Sequence, residues 1–256
     1  MIKKYLNLAD VGIYSLSYQG FVALQTVSMS IIAVLGPMMV TFLVEDREDL
    51  IKKFVRRIIK QGVLFWSIFL SMVIFFATIF IPIVFGKTFQ GSVLPFSILM
   101  FGLAFNCMGS FYSPILTTYE LIKHAMAINV MMALINLVGD FVLVPRMGIS
   151  GAAIASSFSF AFSSILYFLV SNRRLGLKEW RQLLSVLPLV GMLLFCLFFN
   201  RPLFQGVAFF SLVFLTVLIV KRGDMFKEED LQIFAKVKMP SLVRKALTFT
   251  YEFLSA

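Results

Sequence analysis

Asp140 is a carboxylate set in the apolar run Leu137–Val144, with Pro145 and Arg146 just beyond. Asn136 stands four residues before it and so shares its helical face. Asn129 lies one heptad further back. Such a polar stripe can line a hydrated path for a polar solute. It can equally join helices, at about 0.6 kcal/mol per hydrogen bond in membrane bundles. Which applies depends on where a bilayer would lie. Counted from the end of its run, Asp140 is only ~6 Å deep at ~1.5 Å per residue. That depth favours an interfacial carboxylate, with Arg146 offsetting the unfavourable C-terminal end of the helix dipole. Asn129 and Asn136 lie deeper, Gln19 and Gln25 punctuate the first apolar run, and Asn106 the third. Gln25, Asn129, Asn136 and Asp140 are the candidate path residues.

Other chemistry finds little support. His124 is the single histidine and clusters with Glu120 and Lys123 between two apolar runs. No His, Cys or carboxylate group has metal-ligand spacing. Cys107 and Cys196 lie in apolar runs and read as small buried hydrophobes. No nucleophile has a partnered base, and no glycine-rich loop could cradle a phosphate. The expectation is a non-enzyme without metal or cofactor. One basic group stands out. In Glu45–Lys60, acids open and bases close a helix whose stripe is Leu50, Ile51, Phe54, Val55, Ile58 and Ile59. A membrane-surface helix is expected, with Arg56, Arg57 and Lys60 against head-group phosphates or the phosphate of a lipid substrate.

The elements that would position these residues are membrane helices. Of the 256 residues, 60% are hydrophobic, 30 are Phe, and mean hydropathy is +0.93. Soluble domains are about 45–50% apolar. Seven spans of bilayer length are expected: Val11–Val44, Val63–Phe85, Val93–Leu116, Ala125–Val144, Ala152–Val170, Leu183–Phe199 and Leu203–Val220. The runs do not alternate in polarity, which excludes β-barrel strands. The fold class is an all-α integral membrane bundle over 1–220 with a cytoplasmic amphipathic tail over 221–256.

The net charge of +10 follows the spans and does not call for nucleic acid. Eighteen of the 23 Lys and Arg residues fall on one side of the seven spans. That side is expected to be cytoplasmic, placing the C-terminus inside and the N-terminus outside. An exported start bearing Lys3 and Lys4 is unusual. The expectation is that upstream spans are encoded elsewhere and that this chain is part of a longer assembly.

Small residues give a further signal. Gly151, Ala155, Ser159 and Ser163 recur every four residues, beside a row of Gly148, Ala152 and Ser156. Such rows let helix backbones approach closely. The fifth span should be centrally packed.

The run INLVGDFVLVPRMGISGAAIASSFSF, Ile135–Phe160, resembles the late-helix signature of polysaccharide flippases. These belong to the multidrug, oligosaccharidyl-lipid and polysaccharide exporter superfamily. The matching positions are Asn136, Pro145, Gly148, Ile149, Gly151, Ala152, Ala153, Ile154 and Ala155. VGIYSLSYQG (Val11–Gly20), Pro37 with Glu45–Lys60, and FGKTFQGSVLPFSIL (Phe85–Leu99) are similar to further segments of such transporters. The resemblance covers most of Val11–Val220. It implies one lobe, the C-terminal half, of a two-lobed alternating-access transporter in the cell membrane. The implied cargo is a polyprenyl-linked oligosaccharide, the implied partner a separate N-terminal half. Alternatives are an ion-coupled multidrug exporter, for which Asp140 is the one available coupling acid, and an inactive or structural membrane fragment.

Overall fold

The computed structural model describes residues 7–177 except Val34, together with Val190, Gly191 and Ser211. The expected spans Leu183–Phe199 and Leu203–Val220, Cys196 and the tail 221–256 lie outside the described residues, apart from those isolated positions. The described chain is almost wholly helical and contains no strand. Helix α1 is Leu8–Ala33, α2 Leu35–Val44, α3 Glu48–Lys53, α4 Lys60–Val84, α5 Val93–Thr118 and α6 Ile122–Leu175. A π-helical turn, Phe54–Ile59, joins α3 to α4, and a 3-10 turn, Lys87–Ser92, precedes α5. Four continuous helical stretches are long and apolar enough to cross a membrane: Leu8–Val44, Glu48–Val84, Lys87–Thr118 and Ile122–Leu175.

Local chemistry explains the breaks. Pro37 has no N–H to donate to the carbonyl four residues back, that of Ala33, so the continuous stretch Leu8–Val44 lacks one backbone hydrogen bond there. Helices α2, α5 and α6 each end on a residue of positive φ: Asp46 (55°), Glu120 (59°) and Gly176 (66°). Beyond each, an N–H turns back to a carbonyl five residues earlier. The pairs are Arg47 to Phe42 at 2.8 Å, Leu121 to Leu116 at 2.7 Å and Leu177 to Asn172 at 2.9 Å. Glu120, a member of the polar cluster noted above, thus terminates a helix. Because successive rods run in opposite directions, these three ends lie together. Arg47, Lys52, Lys53, Lys123, Arg173 and Arg174 gather there, whereas Lys87 and Arg146 mark the opposite end.

Helix α6 has 54 residues, ~81 Å at ~1.5 Å per residue, far beyond a ~30 Å bilayer core. It is not one rod. Gly148 has φ 61° and ψ −138°, a conformation open to glycine, and the chain doubles back there. Pairs step away from that point in both directions: Leu143 with Gly151, Gly139 with Ala155, Asn136 with Ser156 and Asn129 with Tyr167. Residues 122–147 and 149–175 are therefore antiparallel arms, and they contain the expected spans Ala125–Val144 and Ala152–Val170. The sequence suggests a tight turn spread over Pro145–Ile149, with the next helix starting at Gly151. Instead helix continues through Pro145, and the reversal is concentrated at Gly148.

Helix α5 is the core. In its stretch 67% of the most apolar window is buried, against 33% for Glu48–Val84 and 11% for Ile122–Leu175. The second arm of α6 runs parallel to α5. Ser157 Oγ donates to the Ile98 carbonyl at 2.7 Å, and one heptad on Ser164 Oγ donates to the Phe105 carbonyl. Gly102 and Gly109 face these serines. A Cβ on Gly102 would stand 2.7 Å from Ser157 Cα, and one on Gly109 would stand 3.2 Å from Ser164 Cα. Helix α1 also runs parallel to α5, with Ser17 Oγ donating to the Ser92 carbonyl at 2.8 Å. At the basic end, the Arg174 guanidinium carbon sits 4.5 Å from the centre of the Tyr119 ring. Burial, with the Glu48 carboxylate close by, pushes the Tyr119 phenol above its usual pKa, and Arg174 opposes that shift.

The Glu45–Lys60 segment corrects one expectation. Leu50, Ile51, Phe54, Val55, Ile58 and Ile59 do share a face, but protein covers it and all six are buried. The segment continues into α4 and is not a separate surface helix. Its apolar pairs repeat every four residues, and on an α-helix that repeat drifts by ~40° each time. The wider π turn at Phe54–Ile59 compensates, keeping both later pairs against the core.

Replacing Gly102 with Ala should cost ~1–3 kcal/mol by overpacking. Gly12→Ala meets nothing within 4 Å; it should be neutral or gain up to ~1 kcal/mol from helix propensity. Thermal unfolding in detergent should give a lower Tm for the first variant only, and equal Tm values would contradict the close approach.

Candidate functional site

The polar residues of α1, α5 and α6 converge on two chambers stacked along the bundle. The chamber nearer the basic end is a cavity of about 500 Å³ that includes Gln25, Asn106, Ser110, Asn129 and Tyr167 in its wall. The chamber nearer Gly148 measures about 580 Å³ and includes Tyr14, Tyr18, Gln25, Asn136, Asp140 and Ser156. All four candidate path residues, Gln25, Asn129, Asn136 and Asp140, line one or both.

The side chains are held from neighbouring helices. Tyr167 OH donates to Asn129 Oδ1 at 3.1 Å, and Asn136 Nδ2 donates to Ser156 Oγ at 3.0 Å. Both bonds cross between the arms of α6. Gln25 Nε2 donates to Asn106 Oδ1 at 3.5 Å, joining α1 to α5. Helix joining and cavity lining are thus not alternatives here; the same amides do both. An amide carries two donors and an acceptor oxygen with two lone pairs. Neither N–H of the Asn129 amide is spent in its bond to Tyr167, so each wall residue retains capacity toward the chamber.

Asp140 departs from expectation. Arg146 is exposed, six residues along the same arm, and forms no ion pair with it. Six residues turn an α-helix by ~600°, which puts the two side chains on different faces. Asp140 is half-buried on the chamber wall. Its Oδ1 is enclosed and accepts no hydrogen bond from the described residues. Its carboxylate therefore belongs to the chamber and is not half of an interfacial pair.

Arg56, Arg57 and Lys60 do not line the chambers. They lie on and just after the π turn, away from its buried stripe. Exposed His124 opens the first arm near Glu120 and Lys123, and no group of three His, Cys, Asp or Glu residues among the described residues could hold a metal ion.

An aromatic ladder completes the chamber near Gly148. Tyr14 stacks on Tyr18 (6.3 Å between ring centres), Tyr18 on Phe21 (5.9 Å) and Phe21 on Phe160 of the second arm (5.6 Å). Positions 14, 18, 21 and 25 follow the 4-3-4 spacing of one helix face. That spacing was available in the sequence and would have placed the tyrosines beside Gln25. Ser156 stood out only as a small residue of a packing row and Tyr167 had no signal, since both reach the chambers through the fold at Gly148.

Arg146→Gln should leave Tm nearly unchanged, within about 0.5 kcal/mol of stability, as for a surface residue with no ion pair among the described residues. Asp140→Asn should be similarly mild. A loss of ~3 kcal/mol or more with Arg146→Gln, the size expected when a buried pair is broken, would restore the pairing.

Comparison of the chain with family models, with curated proteins and with solved structures finds no match.

Proposed function

We propose that this chain is one lobe of a membrane transporter that moves a lipid-linked oligosaccharide from the inner to the outer leaflet. The observation that supports the reading is the stacked pair of chambers, each walled in part by amides and hydroxyls. On α1 and α2 their walls run from Val11 to Gly36. That is ~38 Å at ~1.5 Å per residue, enough to cross a ~30 Å bilayer core. Amides and hydroxyls dominate the polar part of the walls, and each both donates and accepts. That mixture suits a hydroxyl-rich sugar, whereas one carboxylate gives little basis for gripping a highly charged solute. Tyr14 and Tyr18 add ring surfaces against which the apolar faces of sugars can lie.

In this reading the basic end is cytoplasmic and the Gly148 end faces outward, in the cell membrane. The chain has seven spans, the last two being Leu183–Phe199 and Leu203–Val220, with 221–256 as a cytoplasmic tail. A companion lobe covers the open side of the chambers. Arg56, Arg57 and Lys60 lie near the cytoplasmic face, where a polyprenyl phosphate would load. The protein binds and moves its cargo without making or breaking bonds.

A second reading is an ion-coupled exporter of small solutes. The specific observation in its favour is Asp140, which opens on a chamber without an ion pair among the described residues. It predicts that Asp140→Asn abolishes export.

In cells whose surface glycan depends on this chain, the double substitution Asn129→Leu and Asn136→Leu should cut surface glycan several-fold while the protein level stays normal. Normal glycan in the double variant would sink the oligosaccharide reading.

A further inference from the structure

The two chambers share three wall residues: Gln25, Met132 and Phe160. Each comes from a different rod. Gln25 is on α1, Met132 on the first arm of α6 and Phe160 on the second. Asn106 of α5 reaches Gln25 at 3.5 Å and closes the fourth side. The shared residues lie midway along the bundle. On one side the walls use the Gly148-proximal halves of the rods; on the other they use the halves toward the basic end.

We infer that Gln25, Met132 and Phe160 form a waist that separates the two chambers and controls passage between them. The inference deepens the transport reading above and rests on it for its purpose, though not for its geometry. The three residues differ in how firmly they are held. Phe160 stacks nearly parallel on buried Phe21, with ring centres 5.6 Å apart and planes 13° apart. Gln25 is tethered to Asn106. Met132 has neither restraint among the described residues, and its unbranched thioether chain swings through several rotamers at low cost. Phe160 is therefore the fixed jamb and Met132 the moving part. Met132 and Phe160 make one side of the waist apolar, facing the Gln25–Asn106 amide pair on the other.

The test is thiol labelling from one side of sealed membranes, in a Cys107→Ser, Cys196→Ser background. A reporter cysteine at exposed Ala133 samples the chamber near Gly148, and one at Ser110 samples the other. A bulky impermeant reagent applied on the Gly148 side should label Ala133→Cys and spare Ser110→Cys. Phe160→Ala should then raise the Ser110→Cys rate about 10-fold or more by opening the constriction. Met132→Ala, which leaves the Phe21–Phe160 stack intact, should do the same, and an unchanged Ala133→Cys rate reports that each variant is folded. The waist is overturned if Ser110→Cys reacts as fast as Ala133→Cys with all three residues in place, or if neither variant raises its rate. Loss of glycan in the Asn129, Asn136 double variant with waist-independent labelling would remove the waist and keep the transport reading. Waist-dependent labelling with normal glycan would do the reverse.

Discussion

Gly102 and Gly109 of α5 press against Ser157 and Ser164 of the second α6 arm so closely that a Cβ on either would force a neighbour to shift, by more at Gly102 than at Gly109. Lipid tails are as apolar as Leu, so helices in a bilayer gain little from simply hiding apolar surface from one another. Close packing and interhelical hydrogen bonds must hold them. This interface supplies both, because each serine that fills the space before a glycine also donates to a carbonyl of α5. The repeat is one heptad, so two identical locks fix rotation and register together. With α5 and the second arm fixed, the turn at Gly148 places the first arm, and Ser17 with the Ser92 carbonyl places the top of α1.

The chambers are what this packing leaves open. Between α1 and the arms, amides, hydroxyls and phenols share the walls with apolar groups such as the stacked Phe21 and Phe160. The same residue that joins two rods presents its remaining donors and acceptors to the space beside it. A wholly apolar seam there would pack tighter and leave no chamber. Polar groups that are partly satisfied by neighbouring helices tolerate both an empty and an occupied chamber. The aromatic ladder from Tyr14 to Phe160 adds a stiff wall on one side of the chamber near Gly148.

Much of this was legible in the residues. Apolar runs and their lengths gave the rods, and the four-residue row from Gly151 announced a closely packed arm. Pro145 and Gly148 announced a break, but only the structure shows that Gly148 alone makes it. The seven-residue spacing of Gly102 with Gly109, and of Ser157 with Ser164, was equally visible, yet neither pair says which helix it meets. The second arm packs on two sides at once, with Gly151 and Ala155 toward the first arm and Ser157 and Ser164 toward α5. A periodic pattern read one face at a time misses the second. The stripe from Leu50 to Ile59 shows the complementary limit, since hydrophobicity does not say whether lipid or protein will cover it. Asp140 was judged by depth and by a nearby Arg in sequence. Helical rotation, which puts Arg146 on another face, decides the matter differently.

The central claim is that a polar path follows one face of α1 through the bundle. Spin labels placed singly along α1 in lipid bilayers measure it directly, through collision with a water-soluble relaxation agent and with membrane-dissolved oxygen. Labels at Ser15, Gln25 and Met29, which line the chambers, should be accessible to the water-soluble agent. Labels at exposed Ala23 and Val27, about half a turn from Gln25, should favour oxygen. Oxygen-dominated access at all five positions would mean that lipid or packed protein fills the space, and would contradict the account.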